Sequence, residues 1–473
     1  MENKDDNVIQ PNFRAEINTF IKHIEAQADI VPLVMKLLSV KRVQESKHVQ
    51  KFIKENGLIE EGSLEDEDDN DPENSKSEKT VKLVIPPEKI KVFLELTDVV
   101  ETTNLAYSLL PINFVVSFVS QYDSYLGGLI RTMFVAQPEL LNYSEKNILF
   151  SELIKFTSIN EAREFIVEKE VESVLRESHL KQFKWLENKL NIPLRKDLPS
   201  FSDFIEVTER RNLFVHCNGI VSRQYLEVCR ENGVVNSEKN VIGEKLTAEP
   251  DYFSKCYEVL FEIGVKLGHV IWRKLRPDDL LEADVHLNEV CYQLLNKGHY
   301  TLAINLLKFA TDTLRKHHDQ EIVCVFTVNK ALAYYLSDNR EECTKVLNAH
   351  DWSATNDKFK LAIHILRENY ESVLDTMRSI GDSNKHITKD SYREWPLFSK
   401  LRKRDDFKEV YKDIFKEDFI YLESKPNTLE DILSEMNKSN HEEKIQKVNK
   451  ISNEVKKATP LKKATPVKKP RSA

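Results

Sequence analysis

Leu294-Leu295-Asn296-Lys297-Gly298-His299-Tyr300, followed by Ala303, joins an apolar helical ending to a glycine-containing turn and a fresh helical start. Two later stretches repeat the pattern, Tyr335-Leu336-Ser337-Asp338-Asn339-Arg340-Glu341 and Ile365-Leu366-Arg367-Glu368-Asn369-Tyr370. The steps between them are uneven, about 41 and then about 29 residues. Each stretch is read as the bend of a helix pair whose apolar face needs a neighbouring pair to cover it. Trp395-Pro396-Leu397-Phe398 through Phe407 to Phe415 reads as a closing helix pair. The expected fold class is therefore all-α.

Composition agrees. Hydrophobic residues are 41 % and charged residues 31 % of 473, and there are only 11 glycines. That disfavours a turn-rich β protein and a glycine-loop nucleotide binder. The helix pairs resemble degenerate tetratricopeptide repeats, which implies a concave surface over 250–422 able to hold a regulatory protein or peptide. No run approaches the roughly 18 apolar residues of a membrane span. The polar, acidic Met1 to Gln10 is unlike a secretory signal. Six cysteines lie scattered without a Cys-x-x-Cys pair, and no histidines join them at ligand spacing. The expectation is reduced thiols, no metal, no cofactor, no membrane and a cytoplasmic location.

Working outward from the pairs, 1–60 carries a helical pattern (Ile17, Phe20, Ile21, Ile24, then Val34, Leu37, Leu38) with an interruption expected at Pro32. Residues 61–80 read as an acidic linker around Glu65-Asp66-Glu67-Asp68-Asp69. Val81 to Pro86 reads as a short strand or an extended lead-in. A domain over 81–245 follows. It contains a long helix from Phe114 to Phe134 and helices near 161–176 and 178–190. The segment 423–473 reads as a basic tail, with ten Lys/Arg against one acid from Lys444 onward. The net charge of −8 thus conceals a body near −17, so any nucleic-acid contact falls to a local patch or to the tail.

Chemistry concentrates in Glu209-Arg210-Arg211-Asn212-Leu213-Phe214-Val215-His216. On a helix, Asn212 and His216 stand one turn apart on one face, and Arg211 can bend toward them. Arg210 has Glu206 one turn back as an ionic partner. Glu209 meets only Leu213 one turn on and is expected in solvent. His317-His318, lacking a metal set, is expected to be solvated at a helix end.

Residues 87–230 resemble a HEPN domain, a helical family found in RNA-cleaving toxins and phage-defence effectors. The resemblance rests on the Arg211-Asn212…His216 spacing and on the upstream helix Phe118-Val119-Ser120-Gln121-Tyr122-Asp123-Ser124-Tyr125-Leu126. It covers roughly 140 residues of the chain. It implies metal-independent endoribonuclease activity, in which the RNA 2′-OH attacks the phosphodiester and leaves 2′,3′-cyclic phosphate and 5′-OH ends. His216 would move the proton, Arg211 would stabilise the phosphorane, Asn212 would orient either one, and Asp123 would orient Arg211. The resemblance also implies a homodimer and RNA as substrate. Where some relatives carry a modified tyrosine two residues after the histidine, this chain has Asn218. Non-catalytic members that serve as dimeric scaffolds supply the alternative reading, an adaptor that binds protein partners through its repeats.

Overall fold

The computed structural model describes residues 11–56, 58–62, 80–143, 146–196, 198–235, 240–353, 355–384 and 386–420. The charged centre of the acidic linker and the whole of the basic tail, 423–473, lie outside them. The chain divides into a unit of 1–418 and a second of 419–473, and every helix described belongs to the first.

Two long helices form the spine, α1 (Phe13–Asn56) and α2 (Ile90–Ala136). Their contacts run in opposite directions along the chain. Phe52 meets Phe93, Arg42 lies over Tyr107, His23 reaches Gln121, and Phe20 stacks on Tyr125 at 4.5 Å. At the far end of this hairpin β1 (Leu58–Gly62) pairs antiparallel with β2 (Thr80–Val84), with Leu58 opposite Val84. This ribbon takes up the strand option left open for 81–86; apart from an isolated bridge between Ile220 and Lys245, the other regular elements among the described residues are helices.

Both helices are longer than the periodicity suggested. Pro32 does not interrupt α1, because it sits at an exposed position where solvent can serve the carbonyl one turn back. Pro111 also lies inside α2, at a half-buried position. The segment Pro87–Ala136 is long and apolar enough, by length and composition, to cross a membrane. No strictly apolar run marks it in the sequence, because Thr102 to Tyr122 is uncharged but interspersed with Ser, Thr and Asn.

The second half of α2 is buried through Phe118, Tyr122, Leu126, Leu129 and Met133. It is covered by α1, α4 (Ile159–Leu175), α6 (Phe201–His216) and α8 (Pro250–Leu275). Close approach depends on Gly264 and Gly268 of α8. A Cβ on Gly264 would enter the Phe20 ring, and one on Gly268 would meet the Tyr125 hydroxyl and Ile17. The Tyr125 hydroxyl donates to the Gly264 carbonyl at 3.0 Å, which fixes the register of α2 against α8.

Three helix pairs follow: α9 (Leu280–Asn296) with α10 (Tyr300–Lys308), α11 (Gln320–Leu336) with α12 (Arg340–Asn348), and α13 (Asp357–Leu366) with α14 (Tyr370–Ile380). Their turns are alike at the level of single bonds. Gly298, Asp338 and Glu368 each adopt positive φ (80°, 59° and 56°). The next residue in each turn, His299, Asn339 or Asn369, donates its N–H to the carbonyl five residues back at 2.9 Å. Asn339 and Asn369 then cap the second helix by accepting from Glu342 N and Ser372 N. The polar turn residues seen in the sequence thus have definite tasks. One takes the left-handed conformation and its neighbour starts the next helix.

Candidate functional site

A ring of polar side chains lines a cleft of about 450 Å³ between α2, α6 and α5 (His179–Leu190). It is built from two anchors. Toward its buried side, α6 carries Phe204, Ile205, Val207 and Thr208. Tyr122 of α2 meets Phe204 edge-on at 5.0 Å. With those faces fixed, Glu209, Asn212 and His216 fall along the neighbouring stripe of α6, about a quarter-turn round, facing the cleft.

Glu206 secures the helix from beneath. It is 4 % exposed and accepts from Arg210 Nε at 2.6 Å, from the Tyr225 hydroxyl at 2.9 Å and from the Tyr252 hydroxyl at 3.0 Å. Arg210 also stacks over the Tyr252 ring at 3.9 Å. Burial near the Glu206 carboxylate pushes the Cys229 and Cys256 thiols up to about 12, so both stay protonated. Arg210 is therefore a structural partner, as the one-turn spacing suggested.

Arg211 points the other way. Its Nη2 donates to Asp123 Oδ2 at 2.7 Å and its Nη1 to Asn212 Oδ1 at 3.1 Å. Among the described residues its buried Nε has no acceptor. The second carboxylate oxygen of Asp123 lies 2.9 Å from His179 Nε2. Asn212 in turn hydrogen-bonds Glu209, whose carboxyl is raised above its ordinary range by burial, partly offset by His179 and Asn212. The chain of contacts runs His179, Asp123, Arg211, Asn212, Glu209, and returns to His179 through space.

Three of the four residues singled out in the sequence, Asp123, Arg211 and Asn212, are thus in direct contact. His216, the last residue of α6, is exposed at the rim of the same cleft. Just beyond it Asn218 and Gly219 take positive φ and end the helix, with Gly219 N donating to Leu213 O at 3.0 Å.

Two expectations are corrected. Glu209 is not solvated; it is half-buried because its partners, His179 and Asn212, come from across the cleft and three residues on, not one turn on. His317 is not a solvated helix-end residue. Its Nδ1 lies 2.9 Å from Asp284 Oδ1 and its Nε2 the same distance from the Ala310 carbonyl. His179 was missed altogether. It is 6 % exposed, and its sequence setting, Ser178-His179-Leu180, carries no signal because its partner lies 56 positions away.

The cleft is not basic. Arg176 and Arg211 stand against Asp123, Glu177 and Glu209. Among the described residues no cluster of His, Cys, Asp and Glu is arranged to hold a metal ion. No family model, curated protein or solved structure matches the chain.

Proposed function

We propose that the chain is a metal-independent endoribonuclease of HEPN type, acting as a toxin or defence effector in the cytoplasm, with its helix pairs as a tetratricopeptide-like regulatory half. The observation that carries this reading is the convergence of Asp123, Arg211, Asn212 and His216 on one cleft. A guanidinium held by a carboxylate and an amide keeps a fixed pose, and its remaining N–H groups are donors for a phosphoryl oxygen. His216, exposed at the rim, reaches solvent and substrate and serves as general base or acid toward the 2′-OH or the leaving 5′-oxygen. RNA supplies the nucleophile, so the chain's own residues need only position, move a proton and offset charge. A homodimer would place two such clefts in one assembly.

The test is incubation of wild-type and His216→Ala protein with total RNA in EDTA, followed by end-group analysis. Cleavage by wild type alone, leaving cyclic phosphate and 5′-OH ends, is the expected result. Cleavage by both proteins alike removes His216 from the chemistry.

One observation favours the adaptor reading: Arg211 is already paired with Asp123, and carboxylates outnumber arginines around the cleft. In that case the ring is a structural staple between α2, α5 and α6. His216→Ala would then change nothing, and substitutions on the helix pairs would abolish partner binding.

A further inference from the structure

The first helices of the three pairs, α9, α11 and α13, enclose a cavity of about 310 Å³ remote in sequence from the cleft, and Trp395-Pro396-Leu397 closes its end. Its volume is that of about ten waters, at the lower limit of small-molecule sites, which span roughly 300–1,000 Å³. The walls are apolar and fixed: Val328, Leu332, Phe359 and Leu397 are all buried. Trp395 and Tyr292 add half-buried aromatic faces.

The polar groups are few, Asn288, Asn329, Lys358 and the exposed His386. Asn329 Nδ2 donates to Asn288 Oδ1 at 2.8 Å, which leaves the Asn288 amide N–H groups free to donate elsewhere. Lys358 lines the cavity with its ammonium 4.9 Å from the Phe359 ring centroid. Its ionic partner, Glu321, is 54 % exposed and does not line the cavity. No carboxylate faces the interior among the lining residues. Lys358 itself is only 19 % exposed, and because the Glu321 carboxylate faces solvent, where screening weakens its hold, the ammonium is available to a better-placed anion.

We propose that this cavity binds a small aromatic carboxylate. The ring would lie among Leu332, Phe359 and Trp395, and the carboxylate would take Lys358 from Glu321 and accept from Asn288. Such a ligand would bridge the first helices of all three pairs and the closing turn. The site is independent of the chemistry at α6.

The experiment titrates the full-length protein with 4-bromobenzoate and with its uncharged amide, 4-bromobenzamide, by isothermal calorimetry. Saturable binding of the acid is expected, at least about tenfold tighter than the amide, the scale of one ion-paired hydrogen bond. Lys358→Met should erase that preference, and Ala362→Phe, which fills the cavity, should abolish binding of both. Val325→Phe fills the same space from α11 and serves if Ala362→Phe does not fold. Absence of saturable binding at millimolar acid, equal affinity for acid and amide, or binding unchanged by a folded cavity-filling variant would each overturn the proposal.

Discussion

Acidification should strike the protein first at a pair of buried histidines where α1, α8 and α9 meet. His269 and His286 are 0 % and 1 % exposed, with His286 Nδ1 3.1 Å from His269 Nε2 and His286 Nε2 3.1 Å from Asn18 Oδ1. Burial lowers the pKa of His286 to about 4, with Arg14 adding repulsion. Burial, His286 and Arg273 together hold His269 well below its ordinary value. Both rings are therefore neutral in the folded protein at neutral pH, whereas the unfolded chain takes up their protons near pH 6.5. Below that pH the unfolded state binds more protons, so stability falls as pH falls, and the loss levels off only below about pH 4. For His286 alone, linkage from 6.5 to about 4 gives a loss of about 2 kcal/mol at pH 5 and about 3 kcal/mol at pH 4. His269 adds to it with the same sign.

Carboxyls with raised pKa, such as Glu209 and Glu258, act in the opposite sense over part of this range. The informative quantity is thus the difference between wild type and His286→Gln. Urea unfolding followed by tryptophan fluorescence is suitable, because the Trp272 ring lies 5.9 Å from both imidazoles. The variant should be less stable at pH 7 but should lose about 2 kcal/mol less than wild type between pH 7 and pH 5. Parallel pH profiles for the two proteins would refute the assignment of His286 as a neutral, buried base.

At the cleft, under the nuclease reading, Arg211→Ala should cost about 10²–10³ in kcat on RNA. Arg211→Lys should recover little, because an ammonium cannot bridge Asp123 and Asn212 as the guanidinium fork does; single-turnover cleavage assays check both. With so few cations around the cleft, the logarithm of RNA affinity should fall with the logarithm of salt at a slope near −0.7 to −1.4, as for one or two neutralised phosphates. A slope of several units in a filter-binding titration would place the RNA contacts elsewhere on the chain. Gly268→Ala should destabilise the fold by about 1–3 kcal/mol through overpacking against Tyr125 and Ile17, read as a lowered urea midpoint.

The parts of this structure legible in the sequence are those encoded by near neighbours. The bend at Gly298 and its echoes at Asp338-Asn339 and Glu368-Asn369 could be read because a left-handed residue and a helix cap are properties of two or three adjacent positions. The α6 stripe of Asn212 and His216 followed from helical periodicity alone. What could not be read depends on distant partners. The continuity of α1 through Pro32 is secured by packing along α2, which outweighs a local helix breaker. The places of Glu209 and His179 depend on α5 lying against α2 and α6, which nothing local encodes. His317 was misjudged for the same reason, since Asp284 is 33 positions away.

Helix α8 carries the physical connection between the two halves of the proposed activity. Its Glu262, 5 % exposed, accepts from Ser200 Oγ at 2.8 Å, at the start of α6. The other oxygen accepts from Asn305 Nδ2 at 2.9 Å, on α10 of the first helix pair. Lys266, one turn along α8, donates to the same carboxylate at 2.5 Å and offsets its charge. A buried carboxylate with every contact committed tolerates little displacement, because a lost donor leaves an unsatisfied charge. A shift of α10 is therefore resisted at the start of α6, sixteen residues before His216. Glu262→Gln keeps the shape and weakens the charge-assisted bonds, so it should loosen this link without touching the cleft. Under the nuclease reading, that variant should bind RNA normally and keep His216-dependent cleavage, but it should respond less to any ligand or partner of the helix pairs. An unchanged response in Glu262→Gln would show that the two halves communicate by another route, with α1 and its Asn18–His286 contact the next to examine.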